Sequence, residues 1–250
     1  MVSEAPAASV TAAARRFDRL DALRGAAIVW MALFHLCYDL NHFGFITPKQ
    51  HFTIDPFWTT QRTAIVSLFL FCAGLAQAVA LHQGQSWPRF WRRWAQIAGC
   101  AVLVSLGSAW MFPRSWIAFG VLHGIAVMLI AIRLLAPLKQ WLWLVGAAAI
   151  ALPLLWRHEF FNAPWWHWTG LVTRKPVTED YVPVLPWLGV MALGMAAGFW
   201  LLQHARQLLD GTIPRAALGL AWLGRWSLSF YMVHQPVLIG LLMAVVALMR

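Results

Sequence analysis

Seven long apolar runs constrain this chain more than any motif in it. They fall at about 25–46, 63–82, 95–112, 116–136, 141–156, 184–202 and 228–249. Each approaches the roughly 20 helical residues that cross a hydrocarbon core of about 30 Å. Composition agrees, with 61% of the residues hydrophobic and 11% charged, which is the balance of a membrane protein. The expectation is an all-α, polytopic transmembrane helix bundle of about seven spans, bounded by six and eight. The count turns on 141–156, which is short, and on 217–227 (ALGLAWLGRWS), where Gly224 and Arg225 interrupt a half-helix or interfacial segment.

Basic residues in short loops favour the cytoplasm. Of 19 lysines and arginines, 12 fall before the first run or in connections on that side, among them Arg24, Arg89, Arg92, Arg93 and Arg225, and 7 fall opposite. That bias predicts a cytoplasmic N-terminus in a cell inner membrane. The net charge of +10 then follows from topology and anionic headgroups, with no nucleic-acid partner required.

Residues 1–18 read as a disordered cytoplasmic tail and 19–250 as one transmembrane domain, undivided by repeats or linkers. MVSEAPAASVTAAA lacks the basic start of a cleavable signal, so the first run reads as an uncleaved signal anchor. Cys37, Cys72 and Cys100 lie inside apolar runs without C-x-x-C spacing, so neither disulfides nor a metal site are expected. Gly194 with Gly198, and Gly74 with Ala78, form small-x-x-x-small pairs suited to close helix packing. The stretch from Trp156 to Trp187 is the longest polar one. Its Trp165, Trp166 and Trp168 read either as an interfacial belt or as a surface for stacking a sugar.

Chemistry concentrates in the first run, RGAAIVWMALFHLCYDLNHFG. On a helix His35, Asp39 and His42 share one stripe. Arg24 precedes His35 by 11 residues, which is about 16 Å of helix and places the imidazole near mid-membrane. An ionisable group there usually faces a bundle interior or a wet cavity. Alone, His35 would read as a packing residue, and a helix ending near Asp39 would leave Asp39 and His42 at the interface. With Asp39 one turn on to orient it and to stabilise its imidazolium, His35 has the makings of a general base or a transient acyl acceptor.

The opening R-x10-H, Arg24 to His35, resembles the pattern at the first helix of a large membrane acyltransferase family. The whole chain more closely resembles the catalytic domain family of heparan-alpha-glucosaminide N-acetyltransferase. The matching stretches are RLDALRGAAIVWMALFHLCYDLNHFG, DPFW with the following Arg62 and LFLFCAG, SWIAFGVLHGIAV, TEDYVPVLPWLGV and LGRWSLSFYMVHQPVL, in order over residues 19–240. The resemblance implies transfer of an acyl group, typically acetyl from acetyl-CoA, to an amine or hydroxyl of a sugar or glycan on the far, periplasmic side. It also implies a catalytic histidine. In eukaryotic members that histidine lies in the loop after the first helix and an Asn stands at the place of His35. His51 is the nearest loop residue here and is the second choice after His35.

Other marked residues gain meaning only by converging. His123, His234, Gln235 beside the helix-interrupting Pro236, Arg62 and Asp180 are expected to complete the cavity, with Arg62 pairing to Asp55 or Asp39. Guanidinium forks suit phosphate, so Arg24, Arg92, Arg93 and Arg225 are expected to hold acyl-CoA, although positive-inside topology alone yields the same cluster. There is no G-x-S-x-G elbow, H-E-x-x-H or Gly-rich phosphate loop. The expected function is a membrane-embedded acyltransferase, with a homodimer allowed. The rival class is a proton-coupled transporter or flippase in which His and Asp form the polar path.

Overall fold

The computed structural model describes residues 16–249, and most of the predicted N-terminal tail lies outside them. Of that tail Arg16, Phe17 and Asp18 are described, and Asp18 is already the first residue of α1. The longer helices are α1 (Asp18–His42), α2 (Pro56–His82), α3 (Trp87–Met111), α4 (Val121–Leu135), α5 (Leu142–Leu155), α6 (Val184–His204) and α9 (Ser227–Leu248), with α7 (Gln207–Asp210) and α8 (Leu218–Arg225) between the last two. Among the described residues there is no strand.

Six stretches are long and apolar enough to span, one of them being Val121–Leu155 with 35 residues. That stretch holds two of the seven predicted runs and reverses between them. Lys139, with φ 44° and ψ −106°, breaks the helical path. Val121 at the start of α4 binds Asp180, and His158, just past the end of α5, binds Leu171. Both ends therefore meet the same 156–183 loop. Arg133 near the turn sits at the opposite end of the bundle, where it donates to Gln85 and lies over the rings of Trp87 and Phe90 at 5.0 and 5.4 Å. The bundle thus has a basic end, which holds the start of α1, and a loop end, which holds residues 156–183.

Helix contacts are close where the sequence supplies glycine. A Cβ on Gly74 would lie 1.9 Å from the Met191 carbonyl oxygen, and one on Gly194 would lie 2.2 Å from that of Phe71. The small-residue pairs thus bring α2 and α6 together as expected. The half-helix expected near 217–227 is α8, and it packs on α1 through the same device. Gly25 would meet Leu220 O at 1.9 Å, and Gly224 would meet Asp21 O at 1.8 Å. The core proper is apolar, built on residues such as Leu70, Met128, Ile132, Met191 and Met195.

Along α1 the buried face changes character. It is apolar at Ala27, Ile28 and Met31 and polar at Asp39 and Asn41. In α9 the contrast is sharper, since of its 22 residues the one that is buried is His234. Val233, Val237 and Leu241 point outward, as they would toward lipid. Two helices of a greasy bundle thus turn polar groups toward each other.

Candidate active site at the α1–α9 seam

Asp39 is 3% exposed and accepts hydrogen bonds from Gln235 Nε2 at both carboxylate oxygens, 2.9 and 3.0 Å away. A carboxylate only accepts, which settles which end of the amide faces it. Asp39 thus bonds across the seam to Gln235 and not back along α1 to His35. An i,i+4 spacing puts two residues on one face but does not aim their side chains at each other, and the carboxylate turns toward α9. His35 instead meets His234, with ring centroids 5.1 Å apart and planes at 62°. The Phe34 ring lies edge-on to His35 at 5.9 Å.

His234 is held tightly. Its ring stacks on Phe230 with planes 7° apart, and Nδ1 lies 2.7 Å from the Tyr231 carbonyl oxygen. His234 Nε2 and Gln235 Oε1 are both buried without a hydrogen-bond partner. Two acceptor atoms are therefore left open on consecutive residues, beside an imidazole and a carboxylate. Burial of unpaired acceptors is unfavourable, so the seam suits a molecule that brings N–H or O–H donors.

The remaining predicted residues divide into three groups. His123 lies at the start of α4 with both nitrogens engaged. Gly120 N–H donates to Nδ1 at 3.3 Å, leaving Nε2 to face Ser105 Oγ at 3.0 Å. Ser105 in turn donates to the Ile117 carbonyl at 2.7 Å. His123 is thus a helix-capping residue, and its hydrogen bonds go to α3 and to the turn before α4, not to the residues of the seam.

Asp180 also caps α4, accepting from Val121 N–H at 2.6 Å. Burial pushes its carboxyl above the usual carboxylate range, opposed by that N–H bond and by the charges of Arg62 and Lys175. The charge of Arg62 is thus felt at Asp180, whereas Asp55 caps α2 at Phe57 N–H and Asp39 is held by Gln235. Burial holds the Lys175 ammonium below its ordinary value. Nearby, Tyr181 donates to the His167 carbonyl at 2.7 Å, and burial pushes its phenol up to about 12. Ser115 donates to Glu179, closing the loop end over α3 and α4.

His51 is exposed and borders a surface hollow of about 360 Å³ with Ile54, Asp55 and Pro56. Asn41 pins its neighbour Gln50, accepting from the backbone N–H at 2.7 Å and donating to the carbonyl at 3.0 Å. Phe52, the next residue, tucks in and stacks on Trp58 at 4.0 Å while lying edge-on to Phe34 and Tyr38. The loop thus supplies the seam with an aromatic wall at Phe52, while the ring of His51 stands at the surface. Sequence reasoning missed that wall and the clamp at Asn41. The one local signal was an Asn in the last turn of an apolar helix.

At the basic end a cavity of about 260 Å³ is lined by Arg16, Asp21, Arg24 and Arg225 with apolar residues of α1 and α2. Arg225 pairs with Asp18 at 2.7 Å and Arg24 with Asp21 at 3.0 Å. Arg92 and Arg93 stand on α3, with Arg93 bonded to Gln96 at 3.1 Å and within electrostatic reach of Arg24. Among the described residues no group of three His, Cys, Asp or Glu is placed to hold a metal ion.

Residues 16–236 match the family described as heparan-alpha-glucosaminide N-acetyltransferase, catalytic. The chain belongs to that family. The match takes in α1 through the His234–Gln235 pair of α9, so both sides of the seam fall inside the heparan-alpha-glucosaminide N-acetyltransferase catalytic region. No curated protein and no solved structure matches the chain. Membership and the apolar helices together make it a multi-pass membrane protein of an acetyltransferase family.

Proposed function

We propose that this chain is an inner-membrane acyltransferase that moves an acyl group, first of all acetyl, from cytoplasmic acyl-CoA to an amine or hydroxyl of a sugar or glycan on the periplasmic side. The observation that carries the reading is the seam, where two imidazoles, a carboxylate and an amide from the first and last spans meet inside an apolar bundle. The basic end is the cytoplasmic one by the charge rule. Arg24 and Arg225 line the cavity there and suit the phosphates of the donor, with Arg92 and Arg93 on α3 guiding its approach.

His35 is the proposed reacting imidazole, either taking the proton of the attacking acceptor or carrying the acyl group itself. Asp39, fixed by Gln235, supplies negative charge to that neighbourhood. Arg62 and Asp180 at the loop end are the proposed acceptor-recognition groups, while His51 is the alternative reacting imidazole. The test is incubation of purified full-length protein in liposomes with radiolabelled acetyl-CoA and a panel of amino sugars and glycans. Label should reach an acceptor, or the protein if an acyl-histidine forms, and be lost in His35→Ala. Transfer that survives His35→Ala and disappears in His51→Ala would move the chemistry to the loop.

A further inference from the structure

We infer that His234 is the proton acceptor for His35, so that the two imidazoles work as one relay; this deepens, and rests on, the acyltransferase reading. The Tyr231 carbonyl can only accept, so the 2.7 Å contact fixes the proton of His234 on Nδ1. In the neutral ring Nε2 is then a bare lone pair. That atom is buried and has no partner. The neighbouring titratable ring is His35, at 5.1 Å between centroids with planes at 62°, and a small turn of the His35 ring would bring its N–H to that lone pair.

His234 is also the residue that α9 buries in place of its aliphatic side chains. A packing role would be better served by leucine, because a ring nitrogen left unpaired in an apolar seam is destabilising. A relay accounts for both the burial and the open lone pair. When Nε2 takes a proton, Nδ1–H stays on the Tyr231 carbonyl, which favours the cationic ring.

In the covalent route, a lone pair of His35 attacks the thioester carbonyl and the C–S bond breaks to release thiolate. The proton on the other His35 nitrogen passes to His234 Nε2, which hands it to the thiolate and leaves a neutral acyl-imidazole. The acceptor amine or hydroxyl then attacks that carbonyl, the N–acyl bond breaks, and the acceptor's proton returns to His35. In the direct route, the acceptor's proton goes to one nitrogen of His35 while the proton on the other passes through His234 to the thiolate. His234 Nε2 has the same task in both.

The variant that isolates this task is His234→Asn, whose side-chain amide can still donate to the Tyr231 carbonyl but offers no ring nitrogen beyond it. With full-length protein and radiolabelled acetyl-CoA, transfer should fall about 10²–10⁴-fold, the usual scale of acid–base catalysis, at unchanged elution and melting temperature. Added imidazole should restore part of the turnover of His234→Gly. A wild-type rate in His234→Asn would overturn the relay. Independently of turnover, ¹⁵N resonances of histidine-labelled wild-type protein should show His234 protonated at Nδ1 and bare at Nε2. A proton on Nε2 would overturn the relay even if the Asn variant failed to fold. If wild-type protein moves no label while the resonances show the expected tautomer, the acyltransferase reading fails and the imidazole pair stands as a proton path.

Discussion

Gln235 Nε2 donates to both carboxylate oxygens of Asp39 and thereby ties the last span to the first across 196 positions of sequence. Otherwise α9 buries little besides His234, so this tie sets where the histidine stands relative to His35. Gln235→Leu keeps much of the volume and strips a buried carboxylate of its donor. A hydrogen bond to a charged group contributes about 1.5–3 kcal/mol, and the variant should melt at lower temperature in detergent by a corresponding amount. The double variant Asp39→Leu with Gln235→Leu should cost less than the two single losses added together. Strict additivity would show that the two side chains do not support each other.

The runs of hydrophobic residues were readable because a bilayer imposes a length on them, and every predicted run has its helix. The reversal at Lys139 was not, since a lysine carries no local signal for a positive φ. Nor was the docking of α8 on α1, because the need for glycine at position 25 is created by Leu220, far along the chain. At the seam, spacing correctly put His35 and Asp39 on one face. It could not supply their partners, which come from α9. His123 was more legible than its reading suggests. It stands three residues after Gly120 at a helix start, the position from which a side chain reaches back to an unpaired N–H.

Gly25 follows Arg24 and faces α8, so substituting it tests whether the basic end is built by this contact. Gly25→Ala puts a Cβ on the Leu220 carbonyl at 1.9 Å, and overpacking of this kind costs about 1–3 kcal/mol. The expected result is a lower melting temperature together with weaker acyl-CoA binding, because α8 carries Arg225. Gly99→Ala in α3 has open space within 4 Å and should be neutral or slightly stabilising through helix propensity. Equal behaviour of the two variants in a melt would contradict the packing account.

If Arg24 and Arg225 hold donor phosphates, Arg225→Gln should raise KM for acetyl-CoA about tenfold, the effect of losing roughly 1.4 kcal/mol of binding, with kcat little changed. Such a pattern marks an interaction made equally in ground and transition states. Arg92→Gln, on the exposed face of α3, should change KM less. Arg225 also pairs with Asp18 at 2.7 Å, so Asp18→Asn is the control for a purely structural loss. A KM unaffected by Arg225→Gln while Asp18→Asn raises it would remove the arginine from the donor site.

Asp180 sets the sign of a pH effect at the loop end. Its carboxyl is raised by burial, so the folded chain holds that proton more firmly than the unfolded chain does. Stability from this group therefore rises as pH falls toward the ordinary carboxylate range, about 4, and declines as pH climbs through the raised value. Asp180→Asn keeps an oxygen for the Val121 N–H and removes the buried charge, so it should flatten this part of the melting-temperature profile and melt no lower than wild type near neutrality. A steeper loss of stability on acidification in the Asn variant than in wild type would reverse the sign. The same variant separates fold from recognition. If Asp180 with Arg62 and Lys175 reads the acceptor, Asp180→Asn should raise the acceptor KM while leaving the acetyl-CoA KM alone, despite an intact or improved melt.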